Sequence, residues 1–252
     1  MAIHLPLHRG GFLISLINQN FIKEKYMLKD ERMTLIYSLV RDGKNVLDVG
    51  TDHAIIPIEL VKNGKSPLAS VTDISLPSLE KGIKNIAAAG LKEKISAYCT
   101  DGTLDVSLET VDDIIIAGMG GELIVKILSQ DERLRDSKFR FILQPMTKPE
   151  ETRKYLYENG FSVLSETKVI SEGRVYAVIL AEFSGRLTDY SLSDLLLGVT
   201  PSRENIADVT YAERLLSALS TRLSGLNKAE EKDVSLISKT EKEIEAVKSF
   251  LE

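Results

Sequence analysis

Cysteine is nearly absent. A single Cys99 in 252 residues excludes an internal disulfide and fits a reducing, cytoplasmic compartment. Histidine is scarce too: His53 has no second histidine near it, and His4 and His8 fall in the first few residues, so no zinc site is expected. No apolar stretch approaches the roughly 20 residues of a membrane span, so no membrane partner is expected. Basic excess is also missing. The net charge is −5, and acidic residues outnumber basic ones 12 to 8 in residues 187–252 and 25 to 24 in residues 1–186. This excludes an overtly basic nucleic-acid binder, and any RNA contact must use a local patch. Residues 1–26 contain Pro6, His8, Arg9, Gly10 and Gly11 and lack the basic-then-apolar order of a signal peptide. They are expected to be an upstream or expression-derived extension, with the folded part starting near Met27.

What is present centres on Asn45-Val46-Leu47-Asp48-Val49-Gly50-Thr51-Asp52-His53-Ala54. A short apolar, β-branched run reads as a buried strand; Gly50 ends it, and Ile55 to Val61 reads as a helix with Pro57 in its first turn. A strand, a glycine turn and a helix start let a ligand approach backbone N–H groups closely. This is not the dinucleotide fingerprint, which needs glycine at positions 52 and 55, nor a P-loop, since no G-K-[ST] follows. Asp48, two residues before the glycine, resembles the first motif of S-adenosylmethionine-dependent methyltransferases.

Residues 27–42 predict an amphipathic helix with Met33, Ile36, Tyr37 and Val40 on one face. Four further strands are predicted, at 68–74, 95–100, 111–117 and 139–143. Helices are expected at 76–89 (closed by Gly90), 122–128 and 148–159 (closed by Gly160). Two β-runs, 161–167 and 175–183, flank a turn at Glu172-Gly173 and read as an antiparallel hairpin. The pattern predicts an α/β fold: a mainly parallel, doubly wound sheet with helices on both faces, binding its ligand at the carboxyl ends of the strands. Residues 203–226 carry Val209, Ala212, Leu216, Leu219, Leu223 and Leu226 at alternating three- and four-residue steps. Residues 234–251 repeat this with Val234, Ile237, Ile244, Val247 and Leu251, broken by Thr240, and Gly225 and Asn227 are read as the turn between them. Two such helices pack as an antiparallel coiled-coil hairpin. The expected division is 1–26, 27–186 and 187–252.

Four of the five strand ends carry Gly or Asp. Asp73 suits the two hydroxyls of a ribose, with a helix N-cap as the alternative; Asp101-Gly102 suits an adenine amino group or forms a simple turn. Asp48 braces the glycine loop or meets a ligand amine, and at Gly50 a side chain would block close approach. His53 reads as a structural hydrogen-bonder at a helix start, and Cys99 as a small buried hydrophobe. The run Ala117-Gly118-Met119-Gly120-Gly121 lacks the Asn/Asp-Pro-Pro-aromatic signature used on exocyclic amines, and no cysteine nucleophile for a pyrimidine carbon lies near it. A ring nitrogen with a free lone pair needs neither device, so positioning and desolvation suffice.

On Asp48-Val49-Gly50-Thr51-Asp52-His53-Ala54-x-x-Pro57, Asp101-Gly102, Ile116-Ala117-Gly118-Met119-Gly120-Gly121 and Leu143-Gln144-Pro145, the chain resembles the TrmK-type bacterial tRNA (adenine-22 N1)-methyltransferases over about residues 28–183. Ile55 stands where that family has an aromatic. The resemblance implies a class I methyltransferase Rossmann-like sheet with a C-terminal helical coiled-coil appendage, S-adenosylmethionine as donor, and N1 of an unpaired or turned-out tRNA adenine as acceptor. It implies cofactor contacts from Asp48, Gly50, Thr51, Asp52, His53, Asp73, Ile74, Asp101, Gly102, Ala117 and Gly118. Gly118, Met119 and Gly120 would position the reacting groups, with no acid, base or metal. Competing readings are a small-molecule or protein methyltransferase, favoured by the acidic charge, and a non-enzymatic cofactor- or RNA-binding scaffold. The tail is expected to serve tRNA through Arg203, Arg214, Arg222, Lys228, Lys232, Lys239, Lys242 and Lys248, helped by Lys148, Arg153 and Lys154, with a dimerisation hairpin as the alternative and a monomer favoured.

Overall fold

In the computed structural model, which describes Leu28 and residues 30–252, seven strands form one sheet. They are β1 (Val46–Val49), β2 (Ala69–Asp73), β3 (Ile95–Cys99), β4 (Asp113–Gly120), β5 (Arg140–Thr147), β6 (Phe161–Ser171) and β7 (Arg174–Phe183). Their order is β3-β2-β1-β4-β5-β7-β6. The first five strands pair in parallel, and β7 runs antiparallel between β5 and β6. The expected N-terminal extension lies outside the described residues.

Strand alternation sorts the core into two layers. Ile115, Ile142, Val71 and Val178 face α1 (Glu31–Leu39), α2 (Ile55–Lys62) and α3 (Leu76–Ala88). Ile114, Ile116, Phe141, Leu143 and Ile179 face α4 (Gly121–Gln130) and α5 (Pro149–Glu158). Leu47 and Val49 belong to the second layer, so the Asp48 between them points into the first, under α1. The helix α1 starts where Asp30 Oδ1 accepts the Met33 N–H at 2.7 Å. At the hairpin, Glu172 and Gly173 both have positive φ and Ser171 pairs with Arg174, a two-residue turn of the kind that matches strand twist.

Several ends differ from the expectation. β4 continues to Gly120 and β5 to Thr147, although the sequence reading stops them at Ala117 and Leu143. Irregularities on both sides of Met119, which stands opposite Pro145, break the ladder there, and a proline is tolerated within a strand at such a bulge. Cys99, expected to be buried, is exposed at the end of edge strand β3.

Beyond the hairpin lie α6 (Leu192–Leu197), α7 (Ile206–Lys228) and α8 (Val234–Leu251). The short α6 is additional to the expected elements; a Ser191–Asp194 capping box fixes it. Gly225 and Asn227 are inside α7, and the turn falls at residues 229–233. Leu196, Leu197, Ala212, Leu219 and Val247 form a third apolar cluster. Thr240, which interrupts the apolar row, is fully buried and satisfies its hydroxyl on Leu236 O at 2.7 Å.

The tail is fastened to the sheet by buried charge. Arg153 on α5 is fully buried, not a surface candidate for phosphate. Its Nε and Nη2 donate to both Glu166 oxygens at 2.9 and 2.6 Å, and Nη1 donates to Leu195 O and Leu196 O at 2.5 and 3.2 Å. Buried Lys168 lies 2.9 Å from Asp208 of α7 and 3.7 Å from Glu166. A buried ion pair loses most when one partner is removed, because the other charge stays desolvated. Arg153→Ala is therefore expected to cost about 3–5 kcal/mol in urea unfolding. Arg153→Met combined with Glu166→Gln should recover part of that loss, since no lone charge remains. Equal stability of the single and double variants would show that the ion pair itself is unimportant.

Candidate functional site

The parallel sheet reverses its winding between β1 and β4, so the chain leaves these neighbours in opposite directions and opens a crevice at their carboxyl ends. A pocket of about 350 Å³ sits there. The glycine loop forms one wall with Asp48, Gly50, Thr51, Asp52 and His53. Ala117 and Gly118 of β4 form the floor, and Arg32, Met33, Ile36 and Met146 the opposite side.

The loop is tightly specified. Thr72 O accepts both the Gly50 and the Thr51 N–H, at 2.8 and 2.9 Å. Thr51 Oγ1 accepts the Ala54 N–H at 3.0 Å, and Ala54, at positive φ, starts α2. Gly50 has φ +77°, and an added Cβ would collide with the Met119 side-chain methyl. Glycine is thus demanded by the backbone conformation, while the Met119 methyl could swing aside for a Cβ. Asp52 pairs with His53 Nε2 at 3.0 Å and with Lys81 at 2.9 Å, while His53 O accepts from Asn85.

Asp48 is the electrostatic centre. It is buried, lines the pocket and is paired with no cation among the described residues. Its pKa is pushed up to about 6, first by desolvation and further by the Asp73 charge, against a Thr51 hydrogen bond that lowers it. A buried carboxylate open to a pocket and lacking a cation fits a positively charged ligand, and S-adenosylmethionine carries both an ammonium and a sulfonium. Asp73, at the end of β2, accepts the Ser75 N–H on Oδ1 at 2.7 Å; Ser75, not Asp73, is the N-cap residue of α3. Ile74 beside it is largely exposed. These features fit a ribose acceptor next to an apolar surface.

Asp101 and Gly102 lie at the end of β3, outside this pocket. Lys126 bonds the Asp101 carboxylate at 2.6 Å and holds its pKa below the ordinary range. Met119 packs toward the second core layer, and Gly120 lies against Thr147 Oγ1. Gly121 presses on the Lys148 carbonyl, so part of the glycine run serves the packing of α4 onto the β5–α5 junction. Among the described residues no group of three or more His, Cys, Asp or Glu could hold a metal, and no helix is long and apolar enough to cross a membrane.

Sequence reasoning missed Arg32 and the part played by Gln144. Gln144 is fully buried; its Oε1 accepts the Gly118 N–H at 3.1 Å and Arg32 Nη1 at 3.0 Å. No periodicity marks a single arginine in the first turn of an amphipathic helix, and Gln144 carried only a resemblance.

Sheet order, terminal hairpin and an acidic glycine loop at the switch point define a class I methyltransferase, and a family model described as a methyltransferase domain matches residues 29–179. Over 169 residues, 67% of this chain and 71% of the relative, the sequence is 30% identical to the tRNA (adenine(22)-N(1))-methyltransferase of Bacillus subtilis strain 168. A Streptococcus pneumoniae protein, provisionally assigned as a tRNA (m1A22) methyltransferase, is 31% identical and superposes with a TM-score of 0.78 over 88% of this chain and 98% of its own. It has also been solved in complex with S-adenosyl-L-methionine. The B. subtilis m1A22 tRNA methyltransferase TrmK shares the fold at a TM-score of 0.81 and 23% identity, over 89% of this chain and 99% of its own. The chain belongs to the TrmK-type family of bacterial tRNA (adenine-22 N1)-methyltransferases.

Asp48 gives a test in which stability and binding move in opposite directions. The unfolded carboxyl titrates near 3.8 and the folded one near 6, so the folded chain holds the extra proton between those values. This group's contribution to stability therefore rises as pH falls from about 6 toward 4, and its charge burdens the cofactor-free fold at pH 8. Asp48→Asn should stabilise the cofactor-free protein at pH 8 by roughly 1–3 kcal/mol, with the gain vanishing below pH 4. The same variant should bind S-adenosylmethionine at least tenfold more weakly by calorimetry. A variant both less stable and unchanged in affinity would make Asp48 a structural residue.

Proposed function

We propose that this protein methylates N1 of adenine 22 in tRNA, using S-adenosylmethionine. The observation that carries the reading is the pocket at the β1–β4 switch, with Asp48, paired with no cation among the described residues, on one wall, in a chain of this family. When bound, S-adenosylmethionine supplies the methyl group together with the positive charge that moves to the adenine. The neutral adenine N1 has a free lone pair, so the protein needs no base. Its task is to hold the base edge-on and dry in a pocket walled by Met33, Ile36 and Met146. The target must be unpaired or turned out, because pairing covers N1. Asp48 and Asp73 hold the donor's cationic and ribose ends.

Residues 187–252 are read as the tRNA-binding part, fastened to the sheet through the Arg153–Glu166–Lys168 group, and the enzyme as a cytoplasmic monomer. The apolar cluster of α6, α7 and α8 is built from one chain, which favours the monomer. Arg153 is withdrawn from the phosphate candidates by burial, and Arg222 is engaged by Glu243. Lys232, Lys242 and Lys248 stay exposed and keep their place among the candidates.

Incubation with S-adenosylmethionine and an unmodified tRNA transcript should yield N1-methyladenosine at position 22, and a transcript with guanine in place of that adenine should yield none. Methylation of protein or small molecules but not of tRNA would overturn the reading. Asp73→Ala should weaken cofactor binding by about 1–3 kcal/mol, the cost of unpaired hydroxyls; unchanged calorimetric affinity would remove Asp73 from the site. Lys232→Ala, Lys242→Ala and Lys248→Ala together should weaken tRNA binding and flatten its salt dependence while cofactor affinity holds. Truncation is the poorer test, because it strips Asp208 and Tyr211 from the buried Arg153–Glu166–Lys168 group.

A further inference from the structure

We propose that Arg32 is a substrate-positioning residue that clamps a backbone phosphate of the target nucleotide at the pocket rim; the inference rests on the tRNA methyltransferase reading above. Among the described residues lining the pocket, Arg32 is the only Lys or Arg. It shares the pocket with Asp48 and Asp52 of the glycine-loop wall, so the pocket offers carboxylates to the donor's ammonium and sulfonium and one guanidinium to an anion, either a phosphate of the entering nucleotide or the donor's own carboxylate. A base that reaches N1 to the methyl inserts past the rim and leaves its phosphates there.

The side chain is held in a set pose. Its guanidinium lies 5.3 Å from the Tyr176 ring centroid, with Nη1 bonded to Gln144 Oε1 at 3.0 Å and near Met146 Sδ at 3.8 Å. A Cβ built on Gly118 would come within 3.8 Å of Nη1, which places that end of the guanidinium over the pocket floor. Only 19% of the side chain is exposed, and Nε is buried without a hydrogen-bond partner among the described residues, so it is the terminal nitrogens that can meet an incoming group. Asp30 offers only a loose ion pair at 3.6 Å, with its other oxygen committed to the α1 cap. A guanidinium fixed by an aromatic face and a buried amide, with Nη2 held only by that loose ion pair, is pre-organised for a phosphate contact. Gln144 ties this cation to the Gly118 N–H, so the clamp and the pocket floor move as one piece.

The test compares wild type with Arg32→Gln and Arg32→Lys in the full chain, using an unmodified tRNA transcript at several salt concentrations and calorimetric titration with S-adenosylmethionine. Arg32→Gln should raise the KM for tRNA at least tenfold, leave S-adenosylmethionine affinity within about twofold, and lower the log–log salt slope of tRNA binding by about one. Arg32→Lys should restore the slope but only part of the KM, because a point charge replaces a planar, pre-oriented guanidinium. An Arg32→Gln variant with the KM and slope of wild type would overturn the inference while the functional reading stood. So would one whose only loss is in cofactor affinity, since Arg32 would then serve the donor, either by pairing with its carboxylate or through Gln144 on the loop. A wild type that neither binds nor methylates tRNA would instead bring down the functional reading, and this inference with it.

Discussion

β1 is hydrogen-bonded to β2 on one edge and β4 on the other, and both faces are covered by helices. Everything polar that this strand carries must therefore be dealt with inside the fold or at its end. Asp48 is the one acidic residue in the strand, and the alternation that buries Leu47 and Val49 on one layer turns it into the other. There it costs stability and creates the field of the pocket. The glycine loop that follows is locked by Thr72 O, which accepts the Gly50 and Thr51 N–H groups, so the carboxylate and the loop conformation are set before any ligand arrives.

A second constraint acts at the far side of the sheet. The antiparallel hairpin β6–β7 carries Glu166 and Lys168, whose charges are buried only because α6 and α7 cover them. Tail and sheet thus share a polar core while each keeps its own apolar one. Arg214 adds a bond to the carbonyl of Gly173 at the hairpin turn, so the same hairpin is held at both ends by the helices that follow it.

The element order, the two faces of the sheet and the acidic strand ends could be read in the sequence, because each rests on a period or a turn residue that local chemistry dictates. The extended ends of β4 and β5 could not, since glycine and proline read as strand breakers unless a bulge excuses them. The helix at 192–197 is too short to show a period, although Ser191 and Asp194 advertise its start. Arg153 and Arg32 show the deeper limit. Both are basic residues in short helices, yet one is a buried anchor and the other lines the pocket. What separates them is which distant strands and helices fold over them, Glu166 and Leu195 in one case and Gln144 and Tyr176 in the other.

The Arg153 anchor bears on how such proteins can be recombined. A chimera that joins this sheet to a relative's helical tail at the linker near residue 186 would transplant Asp208 and Tyr211 away from Lys168 and Arg153. The natural seam for exchange runs through space, along the buried charges, and crosses the chain in α5, β6 and α7 at once. Swapping tails therefore means moving those side chains as a set, and a graft that respects only the linker inherits mismatched charges in its interior.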